Sequence, residues 1–254
     1  MLLKSFRFFL AAILCTSFIS TAAAQTISPI QITLKPLGLP IIGSVYQGAS
    51  DTASIAYSQK QPTYKNYITS NLKEGVAFTG IGINQLDPER LYFLFDYAPR
   101  VYFIYSYAGY VDGLGATIAT VATPTSSIVS GNTFTIFPNS HWNGATTRST
   151  TYPVLQGDWV QLPTVKSGQQ LSFFIYSNEN SAGTPGNVFY NGKSNNPDNF
   201  QHMIAFFPDN SQYIIIGFED MYGGGDQDCN DLMFVVDVGP QNALLLKNPN
   251  TLPK

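Results

Sequence analysis

The sequence predicts an all-β fold, a single-domain β-sandwich of jelly-roll type with long loops. Three observations predict it. Past residue 24 no stretch carries a convincing helical period. Short runs of Tyr, Phe, Ile, Val and Thr alternate instead with clusters of Gly, Pro, Asn and Ser. Aromatic residues make up 14% of the chain, the bulk that two sheets packed face to face across a thick core require.

The predicted strands follow in order. Ile30–Leu34, Val76–Ile83, Leu91–Tyr97, Val101–Tyr107 and Thr133–Phe137 are short, bounded and rich in β-branched or aromatic residues. Leu171–Tyr176, Met203–Phe207, Tyr213–Phe218 and Leu232–Val238 complete the set, and Ala116–Val121 suits either a strand or a short helix. Tyr213–Phe218 and Leu232–Val238 are apolar at nearly every position, as befits central strands covered on both faces. Ser44–Asn71 is polar and rich in Tyr, Gln and Ser, and reads as a long surface excursion or an N-terminal arm. Thr123–Thr151 reads as extended loops around one strand.

Residues 1–24 have the pattern of a secretory signal: Lys4 and Arg7, an apolar run from Phe8 to Ile19, then Ala22, Ala23 and Ala24 ahead of a cut before Gln25. The uninterrupted apolar stretch is short for a membrane span. A lipoprotein cut before Cys15 is disfavoured by the bulky Leu14. The expected organisation is a signal peptide (1–24), an N-terminal strand with the polar excursion (25–75), the sandwich (76–240) and a short tail (241–254) too interrupted to anchor the chain. The product is expected outside the cytoplasm, periplasmic or secreted, with no membrane span in the mature chain.

The formal net charge is −3, and loss of Lys4 and Arg7 makes it more negative. Nucleic acid and anionic membranes call for a basic patch, so neither is an expected partner. With Cys15 removed, Cys229 has no partner for an internal disulfide, and stability must come from elsewhere; a bound metal is one source. Cys229 itself reads as a small buried apolar residue or as a reactive or intermolecular thiol.

The acidic residues are concentrated between the last two predicted strands, in EDMYGGGDQDCND. Glu219, Asp220, Asp226, Asp228 and Asp231 stand there with Asn230 and three consecutive glycines, in a chain only 11% charged. Close carboxylates raise one another's pKa and cost stability when unpaired. Calcium removes that cost, taking about six to eight oxygens from such a mixture of carboxylates, amides and carbonyls. Asp226, Asp228 and Asn230 alternate as D-x-D-x-N, turning every second side chain toward one ion. The run resembles the start of an EF-hand loop but lacks its Gly at the sixth position and Glu at the twelfth, so no helix–loop–helix is implied. Oxygen-only donors favour calcium over zinc or copper, and magnesium demands a stricter geometry. The alternative is a solvated acidic turn without an ion.

The segment GFEDMYGGGDQDCNDLMFVV resembles the hallmark of the bacterial domain-of-unknown-function family 4114: a Gly-Phe-Glu-Asp run, a Gly-rich turn, then Asp-x-Asp-x-Asn-Asp entering an apolar strand. Asn196-Pro197-Asp198-Asn199-Phe200-Gln201-His202 and Ala108-Gly109-Tyr110…Leu114-Gly115 are similar to two further family segments, so the likeness spans roughly Tyr97 to Gly239. The resemblance implies a β-sandwich with a metal-holding acidic loop, found in exported proteins and in modules of bacterial surface adhesins. It implies no established reaction. Cys229 departs from the family's Tyr or Phe, and so is expected to face away from the ion.

Asp198 and His202 are candidates for ligand contact or support, with a structural histidine as the plainer reading. His141 and Trp142 suit either an exposed stacking patch for sugar or peptide or a buried corner. No G-x-S-x-G, H-E-x-x-H, P-loop or dinucleotide motif is present. Glu219 and Asp226 suit paired glycosidase carboxylates, yet an ion on both would occupy their lone pairs. The expectation is an exported calcium-binding module for an extracellular glycan or peptide, of adhesion type. Its rivals are a calcium-dependent extracellular hydrolase and a purely structural surface protein.

Overall fold

The computed structural model describes residues 36–80, 85–124, 128–178 and 184–248. Within them the chain is mostly β, with two antiparallel sheets and two helices. The first sheet runs β1 (Gln85–Leu86), β9 (Met203–Phe206), β10 (Tyr213–Phe218), β11 (Leu232–Asp237), β3 (Arg100–Ser106) and β6 (Trp159–Gln161). The second runs β2 (Tyr92–Phe93), β7 (Gln169–Ser177), β4 (Gly113–Thr120) and β5 (Asn132–Phe137), with β8 (Asn187–Tyr190) also on β7. The all-β sandwich read from the sequence is the observed architecture.

Every residue of β10 and of β11 is buried, because these strands lie inside the first sheet and are covered on both faces. One face meets the second sheet, where Phe137 of β5 stacks on Phe234 of β11 at 5.4 Å between ring centres. Phe103 of β3 meets the same Phe234 ring edge-on at 5.9 Å, so these aromatics interlock rather than stack flat. The ambiguous Ala116–Val121 stretch is strand, part of β4.

The other face is covered by a helix. The stretch read as a polar excursion, Ser44–Asn71, contains α1 (Thr52–Asn71). Asp51 caps it: its carboxylate accepts from Ser54 N–H at 2.9 Å, and the Ser54 hydroxyl accepts from Asp51 N–H. Only Ser54, Tyr57, Tyr64 and Ile68 of the helix are buried. Tyr57 stacks on Tyr102 of β3 at 3.9 Å, Tyr64 meets Tyr213 of β10 at 6.0 Å, and Tyr67 lies on Phe206 of β9 at 5.6 Å. So narrow an apolar row, with Pro62 inside it, carries little helical period, and packing against the sheet decides the conformation. α2 (Pro240–Leu246) follows β11 and buries Ala243 and Leu246.

Val76–Gly80 is not a strand, and the rest of that predicted run lies outside the described residues, as do Ile30–Leu34 and the signal segment 1–24. No helix among the described residues is long and apolar enough to cross a membrane.

Candidate metal centre

The acidic segment leaves β10 at Phe218 and returns as β11 at Leu232, the two strands pairing in register Phe218↔Leu232. The loop therefore folds over one end of the first sheet. Gly217 is required by that return, since a side chain there would come within 2.4 Å of the Cys229 carbonyl. Gly225 has φ 43°, and a Cβ on it would meet Glu219 Oε1 at 2.3 Å. Gln227 and Cys229 also take left-handed backbone, φ 64° and 56°, between Asp226, Asp228 and Asn230.

This path brings Glu219, Asp228 and Asp231 together, each offering a carboxylate oxygen within 4.8 Å of the others. Asp226 belongs to a second group, with Asp228 and Glu74, at the same spacing. Among the described residues no Lys or Arg forms an ion pair with any of these carboxylates. Burial pushes the Glu219 pKa up to about 8, helped by Asp231, Asp226 and Asp228. Asp231 is pushed up to about 7, by burial and then Asp220. Burial, followed by Asp228 and Asp226, also raises Glu74. Glu219 Oε2 and Asn230 Oδ1 are buried with no hydrogen-bond partner. Buried oxygens without donors are costly, and a proton or a hard cation would relieve that cost.

The Asp220 carboxylate lies outside both groups, and Asn230 adjoins them through Asp228. The Asp220 N–H donates to Asp231 Oδ2 at 2.9 Å, while its carboxyl lies against Asp112, which with burial pushes it up to about 9. Asn230 N–H donates to Asp228 Oδ1 at 3.0 Å and its Nδ2 to the Leu72 carbonyl at 3.3 Å. Cys229 is buried, and burial raises its thiol well above the ordinary range, the environment of an inert thiol.

Asp198 and His202 support the glycine turn. His202 is fully buried and stacked on Phe189 at 3.6 Å, with Nδ1 on the Glu219 carbonyl at 2.8 Å and Nε2 on Asp198 Oδ2 at 2.9 Å. Asp198 also accepts from Gly223 N–H at 2.7 Å and from Phe200 N–H. Burial alone would raise the Asp198 carboxyl; these donors outweigh it and hold it below its ordinary value. Both ring nitrogens of His202 are committed, which leaves none for proton transfer to a substrate.

Beside the carboxylates lies an open cleft of about 600 Å³, bordered by Tyr107, Tyr110 and Met221 as well as Glu219 and Asp226. It shares Tyr107 with a second cavity of about 420 Å³ lined by Tyr105, Trp142 and Lys65, whose ammonium lies 5.9 Å from the Tyr105 ring and 5.8 Å from the Trp142 ring. Trp142 itself is buried and donates Nε1–H to the Ala145 carbonyl, and His141 stacks on Tyr152. Glu74 and Asp112 escaped the sequence reading. Glu74 lies far from the loop in the chain, with no local signal; Asp112 lies in the Ala108–Gly115 turn, which drew notice only through its similarity to the family segment.

Residues 165–239 match the family model described as "Domain of unknown function (DUF4114)", the segment that carries β7 to β11 and the acidic loop. No curated protein and no solved structure matches the chain.

Proposed function

We propose that the protein is an exported calcium-binding β-sandwich that acts as a binding module, holding an extracellular glycan or peptide in the cleft beside its cation site. The observation that carries this reading is the Glu219–Asp228–Asp231 group: three converging carboxylates without a cationic side chain, one of them with a buried oxygen lacking any donor. All donors are oxygen, the set that calcium prefers. Glu219, Asp228 and Asp231 would hold the ion, Asp226 would stand at its outer side, and Asp220 and Asn230 would brace the loop. The ion's chemistry is to neutralise these carboxylates and fix the loop between β10 and β11. Where a coordination position faces the cleft, it would accept a hydroxyl or carboxylate from a ligand, flanked by the half-exposed rings of Tyr107 and Tyr110.

The adjoining cleft favours a binding role over a purely structural one. The fully committed His202 weighs against the hydrolase reading, although it lies beside a carboxylate. The test is thermal unfolding in chelator, followed by addition of calcium or magnesium. Calcium at about 100 times its Kd is expected to stabilise by roughly 2.7 kcal/mol, an upward shift of about 5–11 °C for a domain of this size. Glycan and peptide arrays are then screened with calcium present. No shift, with no ion retained by elemental analysis, overturns the reading.

A further inference from the structure

The segment that follows α1 meets the acidic loop at four points, three of them hydrogen bonds that cross between the two chain segments. Gly75 N–H donates to Asp228 Oδ2 at 2.9 Å, Phe78 N–H to the Gln227 carbonyl at 2.7 Å, and Asn230 Nδ2 to the Leu72 carbonyl at 3.3 Å. The fourth is the approach of Glu74 to Asp226 and Asp228, whose carboxylate oxygens all lie within 4.8 Å of one another. An approach of three like charges opposes the docking that the three hydrogen bonds favour. At the same junction Asn230, fully buried, keeps its Oδ1 without a partner while its Nδ2 and backbone N–H are used on Leu72 and Asp228. Asp228 belongs to both carboxylate groups.

Resting on the calcium reading above, we propose a second cation position, formed by Glu74, Asp226 and Asp228 and bridged through Asp228 to the inner one. Glu74 lies outside residues 165–239 that match the family model, whereas Asp226 and Asp228 lie within them, so the N-terminal segment supplies one of the three carboxylates. The ligand class is a hard divalent cation, calcium by its oxygen donors. Filling it turns the repulsion among Glu74, Asp226 and Asp228 into a clamp. The inner ion then orders the loop, and the outer ion fastens residues 72–78, and with them the C-terminal end of α1, to that loop. Because the outer position carries two exposed carboxylates, it fills after the inner one.

The experiment counts ions by native mass spectrometry with calcium titration, in the full chain and in E74Q, and follows amide exchange over residues 72–78. The expected result is two ions in the wild type and one in E74Q. Exchange at Gly75 and Phe78 slows only on the second addition, and that slowing is lost in E74Q. Glu74 is exposed and E74Q keeps every crossing hydrogen bond, so the variant's circular dichroism should match the parent's. One ion in the wild type, or two retained in E74Q, overturns the proposal while leaving the inner site standing. No ion in either protein overturns both.

Discussion

The two ends of α1 lie against carboxylates in opposite electrostatic settings. Near its start, Asp51 accepts from Arg100 Nη1 at 2.8 Å, and further along the helix Lys60 donates to Asp209 at 2.8 Å. Arg100 and the Ser54 donors hold Asp51 down to about 2 against the effect of burial. Lys60, Ser211 and Tyr64 do the same for Asp209, overcoming burial to hold it at about 2. Beyond the last turn, Glu74 meets Asp226 and Asp228, and Glu219 and Asp231 lie behind them, all without a basic partner among the described residues. One end is balanced by the protein's own side chains; the other is balanced only if something outside the chain supplies positive charge. Acidic residues alone therefore say little about a cation site. Their partners, or the lack of them, say much more.

The largest effect that would sharpen this contrast lies in the paired class. Arg148 meets Asp158 at 2.6 Å and 3.0 Å through two nitrogens, and the Asp158 carboxylate is almost fully buried. Arg148→Ala strands that charge and is expected to cost about 3–5 kcal/mol, with no dependence on calcium in a urea titration. A calcium-dependent loss there would break the comparison.

The pH response comes next, and its sign differs between the two classes. In the unfolded chain the loop carboxyls titrate near 3.8 and 4.5, whereas in the folded chain Asp231, Glu219 and Asp220 are pushed up to about 7, 8 and 9. The folded protein then holds protons that the unfolded chain releases. Its stability in chelator should be fullest below about pH 4 and fall as pH rises through about 7 to 9. Asp51 and Asp209 contribute in the reverse sense: their stabilisation is present above about pH 4 and is lost as pH falls toward 2. Urea unfolding at pH 5, 7 and 9 reads the first slope, and saturating calcium should flatten it. A chelated protein that gains stability from pH 5 to 9 would contradict the raised carboxyls.

Glu219→Gln tests a single residue within that slope. It removes one buried charge, so it should raise the unfolding temperature in chelator at pH 8 while shrinking the calcium-induced rise. A variant with the parent's full calcium response would remove Glu219 from the site. The smallest effect belongs to the helix start. Asp51→Ala loses a cap and one charged bond to Arg100, and should cost about 1 kcal/mol, equally with and without calcium.

The residues explain which parts of this organisation could be read in advance. The runs Tyr213–Phe218 and Leu232–Val238 announce buried central strands because their composition is apolar on both faces, and they are β10 and β11. The acidic loop was visible because its carboxylates are neighbours in the chain. α1 was hidden because its buried positions, Tyr57, Tyr64 and Ile68, form a row too narrow to register as a period among polar neighbours. The short edge strands β1, β6 and β8 carry too few residues to show alternation.

By itself, the sequence determined the all-β sandwich and the placement of a Gly-rich acidic loop between its last two strands, since both follow from residues adjacent in the chain. Tertiary structure alone decided that Glu74 faces Asp226 and Asp228, that Asp112 crowds Asp220, and that His202 is locked between Asp198 and Glu219. Charges distant in sequence interact through space, and only the packed sheets and the helix laid over them set those distances.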